Sequence, residues 1–167
     1  RQRHLKYLAS HDALTAMVNR AEFERRCEEA IAVARREHNS IAVLFIDLDA
    51  FKIVNDSYSH AIGDRLLTLL AERIRRQLSD HDVAGRIGGD EFTVCLGRLG
   101  VREDADAVAR RLLATLSEPV LVDDHEIVLS ASIGIAGYPL DGADAVSLIA
   151  NADAAMYLAK SEERNAV

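Results

Sequence analysis

Ile41-Ala42-Val43-Leu44-Phe45-Ile46 runs straight into Asp47-Leu48-Asp49, and this stretch decides the fold. Six apolar residues without alternation, several of them β-branched or aromatic, predict a central strand covered on both faces. Such a strand needs helices on each side, and the flanking periodicity supplies them. Upstream, Phe23, Cys27, Ile31 and Ala34 recur at near-helical spacing over about 20–37. Downstream, Leu66, Leu67, Leu70, Ile74 and Leu78 form one stripe of a helix that follows Gly63-Asp64, with Asp64 a candidate N-cap.

Further along, short strands around 83–87 and 92–96 flank Gly88-Gly89-Asp90-Glu91, a hairpin signal. A helix over about 103–117 carries Val108, Leu112 and Leu116 and stops at Pro119. Residues 120–122 and 126–137 read as strands, Asp141-Gly142 as a turn, and about 144–160 as a last helix bearing Leu148, Ile149, Ala152, Met156 and Ala159. Alternating helices and strands with one antiparallel hairpin predict an α+β fold, a ferredoxin-like mixed-sheet sandwich of βααββαβ type with helices on both faces. Residues 1–10, where Arg1, Arg3, His4 and Lys6 surround Leu5, Tyr7 and Leu8, read as the end of a helix entering from an upstream region, and 11–167 as the domain proper. The first residue is Arg1, not Met, so the chain reads as a piece of a longer protein.

The 167 residues suit one domain, and 49% apolar with 28% charged residues suffices for a core. No apolar run approaches the roughly 20 residues of a membrane span, so the stretch reads as soluble. A net charge of −7 makes nucleic acid a poor partner, because that affinity comes mostly from neutralised phosphates. Cys27 and Cys95 both lie in apolar-periodic segments and read as small core residues of a reducing compartment.

Asp47 stands where the buried strand ends, and Asp90-Glu91 at the hairpin tip. If the hairpin pairs beside the central strand, three carboxylates converge at one sheet edge. Acids without His or Cys among them suit a hard divalent cation and not zinc. Taken singly, each is also an ordinary acidic turn. Gly88-Gly89 removes side chains and tolerates positive φ, letting a ligand approach the backbone. Lys52, Lys160 and Arg164 are the cations that would meet a polyphosphate, although Lys160 and Arg164 equally complement a helix C-terminus. Asn55 and Asp64 could accept the two donors on the edge of guanine, which adenine lacks. They also fit an Asn55-Asp56 turn and a helix cap. Asp47-x-Asp49 is no EF-hand, since Lys52 and Tyr58 fall where Gly and Glu are needed. Gly85-Arg-Ile-Gly88-Gly89 lacks the Lys-Ser/Thr ending of a P-loop. The six His show no metal-ligand spacing, and no Ser/His/Asp order emerges.

Assembled, these residues fall into ordered motifs. Arg86-Ile-Gly88-Gly89-Asp90-Glu91-Phe92 is joined by His11-Asp12-Ala-Leu14-Thr15 with Asn19-Arg20, and by Phe45-Ile-Asp47-Leu-Asp49-Ala-Phe51-Lys52 continuing to Asn55-Asp56, His60 and Gly63-Asp64. Ala152-Asp153-Ala-Ala-Met156-Tyr157-Leu-Ala-Lys160 with Arg164-Asn165 completes the set. Over about residues 10–165 the chain resembles the GGDEF family, diguanylate cyclases and their non-catalytic relatives, whose fold is nucleotidyl-cyclase-like. The resemblance implies that Asp47, Asp90 and the Leu48 carbonyl hold Mg2+ (or Mn2+), with Glu91 a candidate for a second ion. Asp90 or Glu91 would take the proton of the attacking hydroxyl. Asn55 and Asp64 would bind guanine; Lys52, Lys160 and Arg164 would hold phosphates, Lys52 also offsetting transition-state charge, and backbone N–H groups near Phe51 would add donors.

It implies further that two GTP condense to cyclic di-GMP and pyrophosphate across a two-fold dimer, so the partners are GTP and a second copy of the domain. Flanking sensory or EAL domains would belong to the parent chain, with no nucleic acid and no membrane contact by this domain. GTP dependence places the domain in the cytoplasm, whether or not the parent is membrane-tethered. The alternative is a catalytically weak GTP-binding module that regulates an attached EAL phosphodiesterase.

Four positions depart from the family pattern. Ser79 stands where an Arg begins the inhibitory product site, although Asp82 keeps its acid, so tight product inhibition is not expected. Ser59 and Ala16 replace glycines in loops near the nucleotide, and Glu163 replaces the Gly before Arg164-Asn165. None of these removes a ligand.

Overall fold

A computed structural model describes residues 2–99, 104–162 and 166–167. Its elements run α1 (Gln2–Ser10), α2 (Arg20–Glu37), β1 (Ile41–Leu48), α3 (Phe51–Ser57), α4 (His60–Arg76), β2 (Val83–Arg86), β3 (Glu91–Leu96), α5 (Ala105–Ser117), β4 (Val120–Val122), β5 (His125–Ile127), β6 (Ala131–Tyr138) and α6 (Ala145–Glu162). Strand β1 is buried along its whole length. Side chains alternate across a strand, so its two sets of residues enter two different cores. Ala42, Leu44, Ile46 and Leu48 pack with α4 and α5, whereas Ile41, Val43 and Phe45 pack with α2 and α6. Phe23, Phe45 and Phe92 are almost fully buried, each worth roughly 1.5–3 kcal/mol of transfer free energy.

The four-stranded sheet has the order β2-β3-β1-β6, the ferredoxin-like arrangement. The expectation of a mixed sheet needs one correction. β1 and β2 run in the same direction, but β3 inserts between them, so neighbouring strands are antiparallel throughout. Among the described residues the parallel pairing is a single bridge from Val18 to Gly85 at the β2 edge. The strand expected over 126–137 is divided: β5 pairs with β4 in a separate hairpin, and β6 joins the main sheet.

Two helices, not one, fill the crossover after β1. Residues 51–57 form α3 where the sequence suggested an Asn55-Asp56 turn. Helix α4 starts a turn earlier than expected, so Asp64 lies inside it and does not cap it. The cap is Ser59, whose hydroxyl accepts the Ile62 N–H at 3.1 Å. Ser59 therefore stabilises the helix start, and its substitution for glycine has a local physical reason.

Helix α6 lies directly on β6. A Cβ at Gly134 would stand 2.0 Å from the Ala152 carbonyl oxygen and 2.1 Å from the Met156 nitrogen, so only glycine admits this contact. The contact mounts the far end of α6 beside the end of β1. Helix α1 has no buried residue, yet it is tied to the domain: Asn19 donates to Ala9 at 2.7 Å through its side chain and to Ser10 at 2.9 Å through its backbone. No helix among the described residues is long and apolar enough to cross a membrane.

Candidate functional site

The register of β1 with β3 places Asp47 directly opposite Glu91, and the Leu48 N–H donates to the Asp90 carbonyl at 3.2 Å. Asp90 and Glu91 are half-buried. Burial raises the Asp90 pKa above the usual carboxylate range, helped by the charge of Asp47 and a hydrogen bond between the two carboxyls. Burial also raises Glu91, with further contributions from Asp47, Asp153 and Asp90. The rise at Asp90 is opposed by Lys160, whose Nζ lies 2.6 Å from Asp47 Oδ2; that bond holds the lysine pKa above its ordinary value.

Asp47 and Asp90 thus lie close together at the end of the sheet, while Glu91 does not close a three-carboxylate cluster among the described residues. Among the described residues no group of three or more His, Cys, Asp or Glu is arranged to hold a metal ion. Glu91 instead folds over Gly88, with Oε1 only 2.4 Å from where a Cβ would lie. A Cβ on Gly89 would meet nothing within 4 Å. Gly88 thus makes room for Glu91, Gly89 faces open space, and neither adopts positive φ. Two mutually repelling carboxylates beside the Leu48 backbone form an all-oxygen donor set that fits a hard divalent cation.

Asn55 packs against Gly63, the residue before Asp64 on α4. A Cβ there would lie 1.9 Å from Asn55 Oδ1, so the bare backbone of α4 is what lets Asn55 pack against it. Among the described residues the side chains of Asn55, Lys52 and Asp64 make no hydrogen bond or ion pair, which leaves their polar atoms available. A cavity of about 230 Å³ opens beside Asp64, lined also by Leu14, Arg65, Thr68 and Leu69. Lys52 is exposed on the first turn of α3, and Phe51 is buried there. The N-cap of α3, Ala50, has a left-handed φ of 57° and no side-chain cap, so the helix opens with uncapped N–H groups. Arg164 and Glu163 lie outside the described residues.

Sequence reasoning gave no role to two clamps. Asp49 is buried and accepts the hydroxyls of Ser130 at 2.7 Å and Ser132 at 3.0 Å, fixing the end of β1 to β6. Arg86 donates from Nη1 to both oxygens of Asp12, at 3.0 and 3.2 Å, and from Nη2 to the Gly89 carbonyl at 2.9 Å. The entry loop and the double-glycine bend are thereby held by one guanidinium. For Asp12, burial works upward but is outweighed by hydrogen bonds from Thr15 and Arg86, so its pKa is lowered. The signal for both clamps lay in the quoted motifs, which contain Asp12, Asp49 and Arg86, but the pairing depends on three-dimensional proximity.

Residues 9–166 match the family described as "Diguanylate cyclase, GGDEF domain". The chain is 48% identical over 165 residues to the bifunctional diguanylate cyclase/cyclic di-GMP phosphodiesterase MucR of Pseudomonas aeruginosa, covering 98% of this chain and 24% of that protein. It is 43% identical over 161 residues to diguanylate cyclase TpbB of the same organism, covering 96% and 37%. The chain therefore spans about a quarter to a little over a third of the length of these relatives. The solved GGDEF domain of TpbB superposes with a TM-score of 0.89 at 42% identity, over 93% of this chain and 91% of that one. Motifs, sheet order and these similarities agree: the chain belongs to the GGDEF domain family.

Proposed function

We propose that this domain is a diguanylate cyclase, condensing two GTP into cyclic di-GMP and two pyrophosphates. The observation that carries the reading is the meeting of Asp47, Asp90 and Lys160 at one end of the sheet, with Asn55 and Asp64 on the crossover that leaves the same strand. Asn55 and Asp64 accept the guanine N1–H and amino donors, a pattern that adenine cannot satisfy. Lys52, Lys160 and Arg164, with the opening N–H groups of α3 at Phe51, hold the triphosphate. The 3′-hydroxyl oxygen of one GTP attacks the α-phosphorus of the other; its proton passes to Asp90 or Glu91, and the bond to pyrophosphate breaks. A raised carboxylate pKa favours that acceptor role. When bound by Asp47, Asp90 and the Leu48 carbonyl, Mg2+ (or Mn2+) would lower the pKa of the hydroxyl and offset phosphate charge, with Glu91 the candidate for a second ion.

One site holds one GTP, so each hydroxyl reaches the other phosphate only when two copies face each other about a two-fold axis. GTP as substrate places the domain in the cytoplasm, and flanking sensory or EAL domains would set the pairing of residues 11–167. The test is to bring two copies together through a fused coiled coil, supply Mg2+ and GTP, and assay cyclic di-GMP. Product that disappears in Asp90→Ala supports the cyclase. GTP binding without product points instead to a regulatory module, and no nucleotide binding overturns both.

A further inference from the structure

The cavity beside Asp64 has apolar walls from Leu14 and Leu69 and a cationic one from Arg65. Hydrogen bonds from Asn55 and Asp64 would satisfy the edge of a base and leave its faces uncovered. Arg65 reaches the β4–β5 hairpin: its Nη1 is 2.5 Å from Asp123 Oδ1. Both side chains are well exposed, at 60% and 48%, so the pair contributes little to stability. What it does is link α4 to the hairpin through one nitrogen–oxygen contact. Asp123 and Asp124 form the tip of the β4–β5 hairpin with left-handed φ of 45° and 69°, a conformation that Asp tolerates better than most residues. The neighbouring His125 ring packs on Tyr58, 4.8 Å between centroids, at the junction of α3 and α4. The hairpin is thus fastened at two points to the unit that carries Asn55 and Asp64.

We propose that Arg65 is a base-binding residue, its guanidinium held by Asp123 so that its plane covers the purine seated against Asp64. A guanidinium paired through one nitrogen with a carboxylate still presents its flat face for stacking, which an ammonium cannot do. Asp123 acts through Arg65 and is a positioning residue. The assignment rests on the guanine reading of Asn55 and Asp64 and extends it to the hairpin.

The experiment measures binding of a GTP analogue with a non-cleavable α,β bridge to the Mg2+-loaded domain by calorimetry, with inorganic tripolyphosphate as the base-free probe. Arg65→Ala should weaken the analogue by about threefold to tenfold and leave tripolyphosphate unchanged. Arg65→Lys should not restore the loss, and Asp123→Asn should cost part of it in the wild type but nothing more in Arg65→Ala. Equal loss of both probes would move Arg65 to the phosphates, and no loss would reduce it to a wall; either overturns the assignment. If Asn55→Ala abolishes binding while Arg65→Ala does not, Arg65 alone falls. If the wild type does not bind the analogue, the guanine reading and the Arg65 assignment fall together.

Discussion

Lys160 Nζ lies 2.6 Å from Asp47 Oδ2, an ion pair that joins the last helix to the end of the central strand across 113 residues of sequence. Both side chains are partly buried, at 31% and 12% exposure, so the bond is stronger than a surface pair. A divalent cation at Asp47 would compete with this ammonium, and phosphate would draw the ammonium away. Lys160→Gln should lower the stability of the metal-free domain by roughly 0.5–1.5 kcal/mol. It should also tighten Mg2+ binding in the absence of nucleotide, read as a larger thermal shift per Mg2+ added, while cyclic di-GMP formation falls at least tenfold.

The carboxylates of Asp90 and Glu91 oppose folding at neutral pH. Their folded pKa values are raised, so their stabilising contribution is present below the ordinary carboxylate range, near 3.8 and 4.5, and is lost as pH climbs through the raised values. Asp90→Asn removes one of the repelling charges. It should raise the stability of the metal-free domain at pH 7 by a few tenths to about 1 kcal/mol, the range reflecting water screening of half-buried groups. That gain should shrink when denaturation is repeated near pH 4, and cyclase activity should disappear. A domain that is less stable with Asn at this position would sink the repulsion argument.

Arg86 binds Asp12 and the Gly89 carbonyl together, so its loss should loosen the bend that carries Asp90. Arg86→Ala should cost about 1–3 kcal/mol at pH 7, the range for hydrogen bonds to charged groups. Asp12 has a lowered pKa, so its contribution is present above about 3.8 and is lost as pH falls through the lower folded value. Chemical denaturation of the wild type and Asp12→Asn should therefore show a stability difference that narrows below pH 4.

Much of this was legible in the chain itself. The unbroken run Ile41–Ile46 declared a strand buried on both faces, because no solvent-facing strand could carry it. Gly88-Gly89-Asp90-Glu91 declared the hairpin and, with Asp47, the carboxylate end of the sheet. What escaped has a common cause. The start of α4 depended on whether Ser59 or Asp64 supplied the cap, and both are good caps by residue type; the hydroxyl bond to Ile62 decides it. Helix α3 is only seven residues long and carries Asn55-Asp56, which local propensity assigns to a turn; its packing of Phe51 and Val54 into the core overrides that. Arg65 and Asp123 lie on different elements and carry no pattern that links them before folding.

Ser79 and Asp82 form a local turn in which the Ser79 N–H and hydroxyl donate to Asp82 Oδ2 at 2.8 and 3.1 Å, while the Gly97 N–H reaches Oδ1 at 3.2 Å. The carboxylate is thereby engaged in holding its own loop, and no arginine precedes it at position 79. Cyclic di-GMP added to a turnover assay should inhibit only weakly. Inhibition in the sub-micromolar range would show that the product has another high-affinity site.

Gly63 offers the sharpest separation of binding from folding. In a helix interior alanine is favoured over glycine by about 1 kcal/mol, so Gly63→Ala, in the first turn of α4, should help by less than that if space were the same on all sides. Space is not the same: the new Cβ would stand 1.9 Å from Asn55 Oδ1 and 3.3 Å from the Phe51 ring. Asn55 is a side-chain tip and can swing away, which relieves the clash at the expense of its position against Gly63. The expected result is a melting temperature within a few degrees of wild type, since the two effects oppose, together with at least a tenfold loss of GTP affinity. Pairing Gly63→Ala with Asn55→Ala tests the cause: once the amide is gone, the extra methyl should cost no further affinity. An additive second loss would mean that Gly63 touches the ligand directly and that Asn55 is not the group displaced.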